Sequence, residues 1–272
     1  MTLPPGSVFK LVTAAAALES GQFTSDSVLP GPKSMQLPES DNVLGNWSGK
    51  SCGKGDKVSL ASALAMSCNT AFAWLGLQLG ADAIAQQARN FGFETSFDVP
   101  LTAAASHFPT SADRPQTAMS AIGQFDVRAT TLQMAMVAAG IGNDGVVMRP
   151  YVVSQILGPD LSVLQSTPPA PFRRAMSAEN AATLRTMMVG VVEQGTGSNA
   201  RIKGVAVGGK TGTAQNAPGQ SAHAWFVGLA PADKPSVAVA VVLEHGGGAR
   251  EVSGNALAAP IAAAVMRAVL GR

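Results

Sequence analysis

Three short polar strings, Ser7-Val-Phe-Lys10, Ser67-Cys-Asn69 and Lys210-Thr-Gly212, stand far apart in this chain of 272 residues. If they work together, one folded unit must bring them to one place. The chain can do that: with 46% hydrophobic and 13% charged residues it is ample for one large domain with a real core, and residues 1–272 read as a single domain.

A serine hydroxyl is a poor nucleophile at neutral pH and needs a base beside it. The histidines are His107, His223 and His245; none lies in a Gly-x-Ser-x-Gly turn and none is spaced to serve a serine locally, which leaves lysine. With Ser7 in the first turn of a helix, the i,i+3 spacing puts Lys10 on the same face, its amine within reach of the hydroxyl. Pro4, Pro5 and Gly6 forbid regular structure before that helix, the run from Val8 to Leu18 is apolar and alanine-rich, and Gly21 ends it. Unpaired amides at the helix start would stabilise an oxyanion. Burial among Phe9 and Leu11, or a second cation such as Lys210, would lower the pKa of Lys10. Alone, the string also reads as a capping serine followed by an exposed lysine.

The second string lies in a helical stretch with Ser59 as N-cap and Leu60, Leu64, Ala65 and Phe72 at helical spacing. Ser67 and Asn69 fall where the pattern stutters, and a turn there projects both to one side; an ordinary polar helix junction is the plainer alternative. The third string follows the apolar run from Val205 to Gly209, read as a strand, with Thr211, Gly212 and Thr213 beyond it. Small residues at a strand edge admit a peptide backbone, and Lys210 with two threonines suits a carboxylate.

Gly204 to Thr211 also satisfies the phosphate-loop pattern Gly-x4-Gly-Lys-Thr. Context opposes it: the preceding Ser198 to Lys203 is polar, and the following segment to Gly219 is full of breakers, Pro218 among them. Only Glu244, closing the apolar run from Val237, favours this rival.

Taken together, the strings resemble the penicillin-recognising serine transferases, the family of penicillin-binding proteins and serine β-lactamases. Pro4-Pro-Gly-Ser7-Val-Phe-Lys10, Ser67-Cys-Asn-Thr-Ala-Phe72, Ala121-Ile-Gly-Gln124, Asn143-Asp-Gly145 through Pro150, Gly209-Lys-Thr-Gly-Thr-Ala-Gln215 and Trp225-Phe-Val-Gly228 are similar to class B transpeptidase domains. The resemblance implies an α+β transpeptidase fold, an antiparallel sheet flanked by helices beside an all-helical lobe. It implies Ser7 as acylated nucleophile, Lys10 as general base, Ser67 as proton relay and Asn69 as holder of the substrate amide. Lys210 would tune the site, Thr211 and Thr213 would bind the terminal carboxylate beside Gly212, and the amides of Ser7 and Thr213 would form the oxyanion hole. The implied partners are D-Ala-D-Ala stem peptides of peptidoglycan, β-lactam antibiotics, and cell-wall synthesis or division proteins, outside the cytoplasmic membrane.

A class A β-lactamase would need Glu-x-x-Leu-Asn between the second and third strings. Glu94 is followed by Thr95, Ser96 and Phe97, so a transpeptidase is expected, with a D,D-carboxypeptidase and a non-catalytic penicillin-binding module as alternatives. Family members carry a membrane anchor, a non-catalytic module and two sheet strands ahead of the nucleophile's helix. None precedes Ser7, so the chain is expected to be a piece of a longer protein or to have a mis-assigned start, with a sheet two strands short of five and with exposed apolar helix faces. The extracytoplasmic setting would let Cys52 and Cys68, the sole pair, form a disulfide; two free thiols are the alternative.

Net charge of +2 without a basic cluster argues against a nucleic-acid surface. Nothing resembles a signal peptide, no metal-ligand spacing occurs, and no cofactor is implied. The apolar segment from Ala256 to Leu270 is too short to span a membrane and reads as a helix on the sheet. Helices are expected at Ser7 to Leu18, Leu60 to Phe91 in pieces, Thr130 to Ile141, Ser177 to Glu193 and Ala256 to Leu270, with Ser177 and Asn255 as caps. Strands are expected at Val146 to Ile156, Gly204 to Lys210, His223 to Leu229 and Ser236 to Glu244, and a loop from Gly158 to Pro171. Residues 20–145 should form a mostly helical lobe and 146–272 a sheet-plus-helix part. His223 and Met134, Met136, Met187 and Met188 read as packing residues.

Overall fold

Pro4 and Pro5 hold the N-terminal segment out of regular structure until Gly6, where a 3-10 turn, Gly6–Phe9, opens and runs on as α1 (Lys10–Glu19). In this computed structural model, which describes residues 1–215, 219–248 and 252–271, α1 is buried from Lys10 through Leu18. A helix buried all round needs small side chains where its neighbours cross. Ala14 to Ala17 supply them, and α1 packs against the four helices that later pass it.

Four short strands follow, β1 (Val28–Pro30), β2 (Ser34–Gln36), β3 (Val43–Gly45) and β4 (Lys57–Ser59); β1 pairs with β4 and β2 with β3, both antiparallel. Ser59 caps α2 (Leu60–Ala65) by accepting from the Ser62 amide. After a tight turn come α3 (Asn69–Leu79) and α4 (Ala81–Phe91). Then α5 (Arg114–Ser120) starts in a capping box of Asp113 and Gln116, a signal present in the sequence but not among the expected helices. Thr130 caps α6 (Thr131–Gly142). Two antiparallel pairs lie beyond it: β5 (Val146–Met148) with a later strand, and the hairpin β6 (Gln155–Leu157) with β7 (Val163–Ser166), before β8 (Pro171–Arg174) closes on β5. Ser177 caps α7 (Ala178–Glu193).

The main sheet is antiparallel, order β11-β10-β9, built from β9 (Gly208–Ala214), β10 (His223–Ala230) and β11 (Val237–Leu243), and α8 (Ala259–Val269) follows it. Every residue of β10 is buried because both faces are covered. Trp225, Val227 and Leu229 join the large core with α1, α6 and α7, while Phe226 and Ala230 join a second core with α8. Each such large apolar side chain stabilises the fold by about 1.5–3 kcal/mol relative to exposure. The expected helix core positions Met134, Met136, Met187 and Met188 are all buried. Among the described residues the main sheet has three strands. The outer face of α8 exposes Ile261, Val265 and Val269, one i,i+4,i+8 stripe. Among the described residues no helix is long and apolar enough to cross a membrane.

Several expected boundaries are corrected. Ser7 lies in the 3-10 turn rather than in the α-helix it leads into. The strand expected at Gly204 to Lys210 runs Gly208–Ala214 instead, so the third string is inside it. Packing overrides strand propensity there: a Cβ on Gly209 would stand 2.3 Å from the Phe226 ring, so only glycine fits that register. The strand expected from Val146 to Ile156 is broken after Met148, where Arg149-Pro150 intervene, and the expected loop from Gly158 to Pro171 contains β7. The last helix is capped by Ser253, which accepts from the Ala256 amide, and not by Asn255; a turn of π-helix, Gly254–Ala258, precedes α8. Asn255 instead bonds Asn199 and Ser198. Pro218, cited above as a breaker, lies outside the described residues.

Candidate active site

The 3-10 turn carrying Ser7 is pinned from three sides. Pro4 O accepts from Trp225 Nε1 (3.1 Å) and the Gly6 amide donates to Gly123 O (2.9 Å). Gly123 has φ +74°, and a Cβ there would lie 2.1 Å from Gly6 O, so the Ala121-Ile-Gly-Gln124 string can cradle the turn only with glycine in place. Gly212 does the same from the sheet side, where a Cβ would stand 3.0 Å from Pro5 O and 3.1 Å from Val8 Cγ1. The third string therefore runs alongside Pro5, Gly6 and Ser7. Lys10, three residues after Ser7, opens α1 where the 3-10 turn ends, about one turn further along the chain.

Ser67 occupies the turn between α2 and α3 with φ +59°, a left-handed conformation that costs a non-glycine residue about 1–2 kcal/mol. The turn is held because the Ser67 amide donates to Leu64 O (3.1 Å) and the Cys68 amide to Ala63 O (2.8 Å). Cys68 is bonded to Cys52 in a disulfide, tying the loop after β3 to this turn. Closing a loop of that length is worth about 3 kcal/mol in the chain-entropy account.

Two lysines converge on Ser67 from below. Lys10 Nζ donates to Ser67 O (2.8 Å) and Asn69 Oδ1 (2.7 Å) and lies 3.3 Å from Ser67 Oγ; Lys210 Nζ donates to Ser67 Oγ (2.8 Å) and Thr211 O (2.9 Å). Both lysines are fully buried, and among the described residues neither meets a carboxylate. Burial holds the Lys10 amine well below the ordinary lysine range, and the charge of Lys210 pushes it further the same way. Burial lowers Lys210 to about 7. A neutral Lys10 amine has two hydrogens, enough for Ser67 O and Asn69 Oδ1, and its lone pair is then left to accept a proton from a hydroxyl. The expected direct bond from Lys10 to Ser7 is not formed: the carbonyl and amide oxygens of the second string are the better acceptors and take the amine.

A cavity of about 820 Å³ is lined by Ser7, Ser67, Asn69, Thr211, Gly212 and Thr213; Lys10 and Lys210 do not line it but are buried and bonded to Ser67, which does. The structure thus brings all the site residues read from the three strings together. It also adds ones the strings did not announce. Thr196 Oγ1 lies 2.7 Å from Thr211 Oγ1, and Gly195-Thr196-Gly197, a visible turn signal, was its only trace in the sequence. Asn46 lies against the second string, and Gln124 and Asn255 line the same cavity. Glu94 is elsewhere, accepting from the Phe108 amide (2.7 Å) beside His107. His223 is buried at the start of β10, opposite Ala214, with its Nδ1 accepting from the His245 amide (3.1 Å). Lys210 and Thr211 lie inside an extended strand that runs on to Ala214, where a phosphate loop needs a helix to open at the lysine and threonine, so the phosphate-loop reading is discarded.

A serine on a short helical turn, a second serine held between two buried lysines, and a lysine-threonine-glycine strand along one wall are the groups that a lysine-assisted serine acyl transfer would need. Residues 1–267 match the penicillin-binding protein transpeptidase domain, and the chain belongs to that family. It is 45% identical over 273 residues to the peptidoglycan D,D-transpeptidase PbpA of Mycolicibacterium smegmatis, a match covering 99% of this chain and 55% of the relative. The PbpA of Mycobacterium tuberculosis is 42% identical over 273 residues, with the same coverage. The ceftriaxone acyl-enzyme of M. tuberculosis penicillin-binding protein A superposes with a TM-score of 0.94 at 42% identity, over 99% of this chain and 61% of that one. The D,D-transpeptidase domain of an Eggerthella lenta peptidoglycan glycosyltransferase superposes at 0.87 with 33% identity, over 100% of this chain and 66% of that one. The chain spans about half the length of the curated relatives it matches. These matches carry the α+β fold with its antiparallel sheet and flanking helices.

Proposed function

We propose that this chain is the catalytic domain of a D,D-transpeptidase that cross-links peptidoglycan stem peptides through a serine acyl-enzyme. The observation that carries the reading is the convergence of two buried lysines on Ser67 Oγ beneath a cavity that Ser7 lines. Ser7 Oγ attacks the carbonyl of the penultimate D-alanine as its proton passes to the neutral Lys10 amine. The oxyanion sits between the Ser7 and Thr213 amides, whose backbones run side by side. Collapse breaks the peptide bond, and Ser67, held by Lys210, hands a proton to the departing D-alanine nitrogen while Lys10 resupplies Ser67. An amine from a second stem peptide then attacks the ester, its proton returns through Ser67 and Lys10, and Ser7 leaves as the alcohol. Thr211 and Thr213 receive the terminal carboxylate and Asn69 the substrate amide. β-Lactams present the same acyl carbonyl and acylate Ser7. The substrate places the domain on the extracytoplasmic side of the membrane, where cell-wall synthesis or division proteins are its partners.

Incubation with a D-Ala-D-Ala-like thioester and rising concentrations of an amine acceptor tests the reaction. Consumption of thioester with an aminolysis product that grows with acceptor is expected. Hydrolysis unaffected by acceptor would make the domain a carboxypeptidase, and no turnover by folded protein would make it a penicillin-binding module only.

A further inference from the structure

We infer that Asn46 is a positioning residue for this reaction, setting Asn69 and Ser67 against Lys10 from a loop outside the three strings; the inference rests on the function proposed above. Helix α3, which begins at Asn69, lacks a side-chain cap of its own: its N-cap residue is Cys68, whose sulfur is committed to Cys52. The first amides of a buried helix need acceptors. Asn46 supplies one in trans, its Oδ1 accepting from the amides of Asn69 (2.9 Å) and Thr70 (3.1 Å), while the Thr70 hydroxyl donates to Pro32 O (2.8 Å). Asn46 Nδ2 donates to Pro32 O (2.9 Å) and Lys50 O (2.9 Å). Every hydrogen-bonding position of this 9%-exposed amide is used, and only one orientation puts its oxygen on amide donors and its nitrogen on carbonyls.

The residue before it holds the same target from the other end. Asn69 Nδ2 donates to Gly45 O (3.1 Å), while Asn69 Oδ1 accepts from Lys10 Nζ (2.7 Å). Gly45 and Asn46 thus fix both the backbone and the side chain of the residue that orients the base. Among the described residues, the other hydrogen-bond partner of Lys10 is Ser67, two residues earlier on the same turn. Loss of the Asn46 acceptor frees the start of α3, and a shift of about 1 Å in a positioning element is enough to cost roughly 100-fold in rate.

The test is the time course of benzylpenicillin acylation by intact-protein mass spectrometry, which yields a rate constant and a final stoichiometry. Asn46→Ala should lower the rate constant about 100-fold while each molecule still takes up one penicillin. Asn46→Asp keeps the acceptor and loses the donors, and at its own pH optimum it should recover at least about tenfold of that loss. A wild-type rate constant in Asn46→Ala, or reduced stoichiometry at an unchanged rate constant, overturns the inference, the second showing a role in folding alone. If Asn46→Ala does not fold, Asn46→Asp decides: a rate within about tenfold of wild type supports the inference and a roughly 100-fold loss overturns it. Absence of adduct in the wild type defeats the proposed function instead, which separates the two failures.

Discussion

Replacing Lys10 with methionine is expected to slow acylation by benzylpenicillin roughly 10²- to 10⁴-fold, the range that a positioned general base contributes. Methionine keeps most of the apolar stem that packs in the core and removes the titratable nitrogen, which lies 5.5 Å from the centre of the Phe72 ring. At the ordinary lysine value of 10.5 only about 3 amines in 10,000 would be neutral at pH 7. Burial, and after it the neighbouring Lys210 charge, shift that balance toward the neutral amine. The acylation rate should therefore rise as pH increases through the lowered value of Lys10 and reach its plateau well before the ordinary lysine range. Time-resolved mass spectrometry across pH reads both effects. A Lys10→Met protein that keeps its thermal transition and acylates within tenfold of wild type would place the base elsewhere.

The second large effect belongs to Lys210, where function and stability are expected to oppose one another. Burial lowers its folded-state value from 10.5 to about 7, so between those limits the unfolded chain binds more protons than the folded one. The sign follows: this lysine costs stability in full below pH 7, and the cost fades as pH rises from about 7 to 10.5. Lys210→Met should accordingly show its most favourable change in melting temperature relative to wild type at pH 6, with the margin shrinking toward pH 10.5. Its acylation rate at pH 7 should fall about 10²- to 10³-fold, because Ser67 Oγ loses its 2.8 Å donor. The acid limb of the remaining activity should also move to higher pH, since Lys10 no longer sits beside a cation. A stability margin that does not vary with pH would contradict the assignment of Lys210 as a desolvated cation.

The site was legible in the sequence where chemistry demands particular atoms. A serine with a lysine three residues on, a serine and asparagine at a helix junction, and lysine-threonine-glycine after an apolar run are brought together: Ser7, Ser67, Asn69, Thr211 and Gly212 line one cavity, and the two lysines bond Asn69 and Ser67. What the sequence concealed was set by packing. The strand bearing Lys210 contains Gly208, Gly209 and Gly212, poor strand formers by propensity, because Leu229, Phe226 and Pro5 occupy the space their side chains would need. Ser7 falls in a 3-10 turn because Gly6, at φ +54°, turns the chain against Ala214, a contact no local pattern encodes. Asn46 was invisible for a related reason. Its role depends on Cys68 being unable to cap its own helix, which follows only once the disulfide and the loop are seen together. Ser253 took the cap expected of Asn255 because a π-turn shifts the helix start, and capping residues two positions apart are indistinguishable by composition.

The central claim is that Ser7 is the acylated nucleophile, and intact-protein mass spectrometry after incubation with benzylpenicillin, followed by peptide mapping, tests it most directly. The account predicts one penicillin per chain, carried by the peptide that contains Ser7, and no adduct on Ser7→Ala. An adduct that persists in Ser7→Ala or maps to Ser67, or folded wild-type protein that takes up none, would contradict it.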